Sequence, residues 1–295
     1  MFDLLFAIFS QVLPFLPLAL GISTSYTLLR ATDLSLDGSF VLGAVLFARF
    51  VTLGVPPIFA CLIAFIGGAL VGSFVSFVQK GGRVDPLLAG VLVVFILTSV
   101  NLIILGRPNV GLLSTTTLVS GAFHKSQFYG WCVTSAFCFV LVLFSFILIQ
   151  SRFGLLLRAL GDNSGLLQRM GYSVEKYRTA GFALTNMLAA ASGVISAQLF
   201  GYADIGMGLG VTLTGICAIL LGQQFIKLIT KSTYMRNLGE FFACLIGVCI
   251  YFAGVNILLR LDLDPIYLKM ALGLTLIFFL RTVTNNNSRL SKSSS

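Results

Sequence analysis

The sequence predicts an all-α, polytopic transmembrane fold, and three observations carry that prediction. Hydrophobic residues make up 57% of 295 and the mean hydropathy is +1.00, well outside the range of a soluble domain. Charged residues are only 10%. Eight or nine apolar stretches follow one another with short loops between them, each of the roughly 17–25 residues that carry a helix across a bilayer core. No long polar segment interrupts them, so residues 1–295 read as a single membrane domain without a soluble catalytic unit.

In chain order, the candidate spans are 4–29, 38–53, 56–78, 86–105, 129–150, 179–200, 205–226, 238–258 and 266–281. The first has no basic residue before it and runs on to Leu29, which reads as a retained span rather than a cleaved signal peptide. The second is short and carries Arg49, so it either crosses or re-enters. The third contains Gly67-Gly68, read as close helix packing. Asp85-Pro86 and Asp264-Pro265 each put a capping carboxylate before a proline at a first helical position, which suits entry to a span. The Ser-, Thr- and Gly-rich stretch from Gly106 to Phe128 is long enough to cover an outer mouth or receive another protein, and the tail from Thr284 to Ser295 is expected to be disordered.

The longest polar interruption lies between the fifth and sixth spans. Residues 152–178 carry Arg152, Arg158, Arg169, Lys176 and Arg178 against Asp162 and Glu175, which places the loop on the cytoplasmic face. Alternating outward from it puts 14 of the 19 basic residues inside and 5 outside, with the N-terminus outside and the C-terminus inside. Leu155, Leu156, Leu157 and Leu160 recur at helical spacing, and Gly161-Asp162-Asn163-Ser164 forms a turn rich in N-capping residues. Leu166, Leu167 and Met170 then give a second apolar face that Gly171 stops. The reading is two short amphipathic helices at the membrane surface, joined by a polar turn, well placed to take a push from a soluble partner.

Two segments are unlike ordinary spans. Asp33-Leu34-Ser35-Leu36-Asp37-Gly38-Ser39 leads into a short apolar helix, and so does Gly201-Tyr202-Ala203-Asp204-Ile205-Gly206-Met207-Gly208-Leu209-Gly210. Breaks at corresponding places in two halves, about 4–105 and 179–281, predict pseudo-symmetric inverted repeats around a transport path. Asp33 and Asp37 are either functional carboxylates or edge features, with Asp37 capping a helix that begins at Gly38; Asp204 reads the same way. Ser35, Ser39, Thr212 and Thr214 are candidates for lining the path, since hydroxyls can serve a polar solute at little cost in a membrane helix.

Several chemistries find no support. The six cysteines lie in apolar segments without CxxC spacing, and a single histidine, His124, cannot build a triad or metal cluster. No Gly-Lys-Ser or Gly-Lys-Thr occurs, so any ATP must be bound by another chain. The net charge of +9 sits in short loops that orient the protein, rather than in a nucleic-acid footprint. No cofactor or metal site is expected.

These residues resemble a known family: the membrane permease subunits of bacterial ATP-binding-cassette importers of the branched-chain amino acid and ribose class. Asp33 to Ser39 looks like the family's early Asp-Leu-Ser element, although Asp37 stands where the sugar permeases usually have a small residue. The pattern Asp33-Leu34-x-x-Asp37-Gly38-Ser39-Phe40 is similar to a branch whose partners resemble binding proteins for aromatic amino acids and related solutes. Arg152-Phe153-Gly154, Arg158 to Asn163 and Met170 to Ser173 resemble the family's cytoplasmic coupling region, and Ala189 to Gly222 its second half.

The resemblance implies a multi-pass protein of the bacterial inner membrane that is not itself an enzyme. It would pair with a second permease subunit, identical or closely homologous, with ATP-binding-cassette ATPase subunits below and a periplasmic solute-binding protein above. Leu160, Gly161, Asp162, Asn163, Gly165, Leu166, Arg169, Met170 and Gly171 would couple it to the ATPase, and the solute would be small and polar, an amino acid or related compound. The same class carrying a sugar or nucleoside is one alternative. A self-sufficient ion-coupled secondary transporter, working through Asp33, Asp37 and Asp204, is the other.

Overall fold

In a computed structural model, residues 2–82, 84–123, 126–229, 236–261, 270 and 273 are described. Apart from 270 and 273, the expected ninth span at 266–281 lies outside them, as do the tail from Thr284 and His124. Among the described residues, eight helical segments are long and apolar enough to cross a membrane. The chain folds as α1 (Phe2–Ser23), α2 (Ser35–Thr52), α3 (Pro57–Val78), α4 (Pro86–Leu105), β1 (Asn109–Gly111), α5 (Leu118–Phe123), α6 (Gln127–Gln150), α7 (Arg152–Asp162), α8 (Ser164–Arg169), α9 (Val174–Phe200), β2 (Tyr202–Asp204), α10 (Val211–Ile229) and α11 (Arg236–Arg260). The helical expectation holds. A two-stranded antiparallel ladder is added to it, pairing Asn109 with Asp204 and Gly111 with Tyr202.

α9 is the hub. Its middle is built from Ala189-Ala190-Ala191-Ser192-Gly193, all buried, so neighbouring backbones come in close. A Cβ on Gly43 would lie 2.1 Å from the Ala190 carbonyl oxygen, and one on Gly72 would lie 1.9 Å from that of Phe182. α1 and α3 both run antiparallel to α9. Ser192 Oγ donates to the Pro14 carbonyl at 2.5 Å near one end, and Gly181 meets the Leu29 side chain near the other. Likewise Cys61 lies beside Gln198, Gly68 beside Asn186, and Ser76 bonds Thr179 at 2.9 Å. Gly68 thus packs as the sequence suggests.

α2 wedges among α3, α4 and α9, with 13 of its 18 residues buried. At 1.5 Å per residue it rises about 27 Å, a little less than the hydrocarbon core. It starts at Ser35, beside Asn186, the thirteenth of the 27 residues of α9. α2 therefore begins level with the middle of α9. The chain reaches that level through a break: α1 ends in a π-helical turn over Thr24–Leu28, and Ala31 N–H donates back to the Ser25 carbonyl at 3.1 Å. Arg30 reverses direction in the left-handed region at φ 50°.

Candidate functional site

Three groups of residues make the site, and the first is a buried polar knot at the start of α2. Asp33 is 2% exposed, and its Oδ1 accepts the Ser35 amide at 2.9 Å and the Ser35 hydroxyl at 2.5 Å. Asn186 Nδ2 donates to Asp33 Oδ2 at 3.1 Å and to the Phe182 carbonyl at 3.0 Å. Asn186 Oδ1 accepts the Ser39 hydroxyl at 2.6 Å. A carboxylate out of water is tolerable only when its lone pairs are filled, and here three donors fill them. Gly90 of α4 leaves room for the break, since a Cβ there would meet Leu34 N at 2.8 Å.

The second group joins the two breaks. Asp37 Oδ1 accepts the Thr212 amide at 2.6 Å, and Oδ2 accepts the Gly210 amide at 3.1 Å. This corrects the expected cap. The helix begins at Ser35, not Gly38, and Asp33 takes its first free amide; Asp37 caps α10 instead. Thr214 Oγ1 bonds back to the Gly210 carbonyl at 2.9 Å, and Gly210 turns at φ 75°. Thr212 is buried in this junction.

Asp204 stands apart from both. Its Oδ1 accepts the Gly206 amide at 2.7 Å and its Oδ2 the Asn109 side chain at 3.1 Å, so it braces the strand ladder. The structure thus brings Asp33, Ser35 and Ser39 together around Asn186, and Asp37 together with Thr212 and Thr214. Asn186 is absent from the sequence candidates, although an amide amid the Ala- and Gly-rich run of the sixth span is a signal that could have found it.

The third group is the surface pair α7–α8. Leu157, Leu160 and Leu167 are buried against the span ends, whereas Leu166 (53%), Met170 (65%) and Arg169 are exposed. Gly161 lies against the Leu28 carbonyl, 2.1 Å from where a Cβ would stand, so Leu160 and Gly161 face the protein rather than solvent. Asp162 pairs with Arg30. Asn163 caps α8 by accepting the Leu166 amide at 3.0 Å, Gly165 is exposed, and Gly171 ends the pair at φ 83°. The pair thus has an anchored apolar face and an open face of Leu166, Arg169 and Met170.

The family described as branched-chain amino acid transport system, permease component, matches residues 4–280. An uncharacterized Rickettsia prowazekii protein, RP368, is 42% identical over 281 residues, 95% of this chain and 98% of that one. The tyrosine transport system permease protein of Clostridioides difficile is 30% identical, covering 92% of this chain and 88% of its own. The ribose import permease protein RbsC of Haemophilus influenzae is 23% identical, covering 86% and 77%.

Proposed function

The chain belongs to the family of branched-chain amino acid transport system permease components, and from that premise we propose that it moves a small polar amino acid, of the aromatic class, into the cell. The drive is a separate ATP-binding-cassette ATPase, a periplasmic binding protein delivers the solute, and a second permease subunit completes the path in the bacterial inner membrane. The observation that carries this reading is the α7–α8 pair, buried on one face and open on the other with Leu166, Arg169 and Met170. The choice of solute is supported by the 30% identity to a tyrosine permease across most of both chains, against 23% for a ribose permease.

The mechanism follows from which parts are tied together. ATPase closure displaces α7–α8, and Asp162 draws on Arg30, three residues before Asp33. Asp33 is locked to Ser35 and Asn186, and two residues beyond Ser35 the Asp37 carboxylate holds the start of α10. A push below is thus transmitted to the two helix starts that meet inside the membrane, and alternating their tilt alternates exposure of the path. Thr212 and Thr214 stand at that meeting point and Ser39 stands beside Asn186, as path-lining hydroxyls. Asp33 and Asp37 both spend their lone pairs on backbone and side-chain donors, which suits fixed joints better than the ion-releasing carboxylates a secondary transporter needs.

Isolation in mild detergent from native membranes, followed by ATPase and uptake assays, tests the proposal. An ATP-hydrolysing subunit should copurify, and uptake of radiolabelled tyrosine into proteoliposomes should require ATP and the binding protein. ATP-independent uptake by the chain alone would overturn the importer reading.

A further inference from the structure

A cavity of about 470 Å³ opens on the cytoplasmic side between the end of α1, the end of α3, the start of α4, the α7–α8 turn and the start of α9. Its lining includes Arg30, Gln79, Asp85, Ser164, Arg178 and Phe182. Two features mark it as a built site. Gln79 is 3% exposed, and its side-chain Nε2, a double donor, has no hydrogen-bond partner. Such a buried donor costs free energy unless something in the cavity accepts from it. Arg30, in its left-handed backbone, lines the same cavity while giving part of its fork to Asp162, which leaves other N–H donors of the guanidinium to spend. Among non-glycine described residues it is the one with positive φ.

The donors come from three sides: Gln79 from the cap at the end of α3, Arg178 from α9 and Arg30 from the turn after α1. The acid on the wall, Asp85, already accepts the Leu87 amide at 2.9 Å and Asp162 is paired with Arg30, so the formal charges around the cavity balance and what it offers a ligand is the N–H donors of Gln79, Arg30 and Arg178. A planar carboxylate accepts within one plane. A tetrahedral oxyanion presents acceptors in several directions and suits guanidinium forks. We propose that this cavity binds a phosphate group, drawn either from an anionic phospholipid headgroup of the inner leaflet or from free phosphate in the cytoplasm. Recesses lined by arginine between span ends on that side are where lipid phosphates settle. Because Gly161 and Ser164 form part of the wall, occupancy braces the α7–α8 pair against the ends of α1, α3, α4 and α9.

The test uses the full chain, with whatever copurifies, in nanodiscs of phosphatidylcholine alone or with phosphatidylglycerol added. Thermal unfolding and native mass spectrometry are read during titration with inorganic phosphate. Wild-type protein should gain unfolding temperature saturably with phosphate, with phosphatidylglycerol, or with both, and which of them acts identifies the source. Arg178→Gln should weaken the response by about tenfold or more, as expected for loss of a charged donor. Gln79→Leu removes the orphan donor, so it should be at least as stable as wild type without phosphate yet lose most of the response, which separates binding from folding. A wild-type protein that responds to neither, or variants that respond as wild type does, would overturn the site.

Discussion

Asp37 on α2 accepts the backbone amide of Thr212 at the start of α10 at 2.6 Å, a contact between residues 175 apart in sequence. With the Gly210 amide on its other oxygen, one carboxylate closes the junction of the two chain breaks. Free amides at a helix start carry partial positive charge, so an anion there is stabilised by the dipole as well as by the hydrogen bonds.

The first prediction follows from that charge. Asp37→Asn keeps acceptor geometry for one amide but loses the charge, and Asp37→Ala loses both. Hydrogen–deuterium exchange at residues 210–212 should rise by about tenfold in the Asn variant and more in the Ala variant, in line with about 1.5–3 kcal/mol for charged hydrogen bonds. Unchanged exchange would mean that α10 does not depend on Asp37 for its cap.

How much of this was legible can be judged from α9 and α4. The length and order of the spans follow from hydropathy because a bilayer imposes a minimum length on an apolar helix. Hydropathy says little about which span is central. α9 has a mean hydropathy of 1.4 and its most apolar window is 83% buried, while α4 and the span Phe128–Gln150, both at 2.7, are 28% and 22% buried. Lipid rewards apolar surface and helix contacts reward small residues, so the two least apolar spans, α9 and α2, take the centre. The two breaks were readable from Gly and Asp. Their joining was not, because the partners of Asp37 are backbone amides far along the chain, which carry no side-chain signature. The shift of the cap from Gly38 to Ser35 has the same origin: two acids lie near one helix start, and only the tertiary contact decides which of them caps it.

Asn186 should behave as a keystone. Asn186→Leu removes the donor to Asp33 and the acceptor for Ser39, leaving a buried carboxylate oxygen unpaired, and should destabilise the protein by about 3–5 kcal/mol. The double exchange Asp33→Asn with Asn186→Asp restores one donor facing one carboxylate. It should recover thermal stability that Asn186→Asp alone, with two facing carboxylates, does not have. If the double exchange unfolds no later than the single Asn186→Asp, the knot is not held by this pair.

Arg30 and Asp162 pose a different case, because their side chains are 63% and 43% exposed. Such a pair contributes at most about 1 kcal/mol, so Asp162→Arg should leave the unfolding temperature within a degree or two of wild type. Its effect should fall on coupling: ATP-dependent uptake lost, with insertion intact. Combining Asp162→Arg with Arg30→Asp should recover uptake, most clearly at low salt, where screening is weakest. Equal uptake in wild type and the single reversal would remove this pair from the mechanism.

The open face of α7–α8 separates docking from folding most directly. Leu166 and Met170 are 53% and 65% exposed, whereas their neighbour Leu167 is 1% exposed and packs with Leu157 and Leu160. Leu166→Asp and Met170→Asp should therefore leave the thermal stability of the isolated chain within about 0.5 kcal/mol while abolishing copurification of the ATPase. Apolar anchors at an interface centre often contribute about 2 kcal/mol or more of binding. Leu167→Asp buries a charge among leucines and should lower the stability of the chain itself. The contrast lies between adjacent residues of one short helix, so a general weakening of the region would affect 166 and 167 alike. Loss of ATPase with Leu166→Asp at unchanged stability assigns the open face to the partner. Retention of the ATPase in both Leu166→Asp and Met170→Asp would move the docking surface elsewhere on the cytoplasmic side.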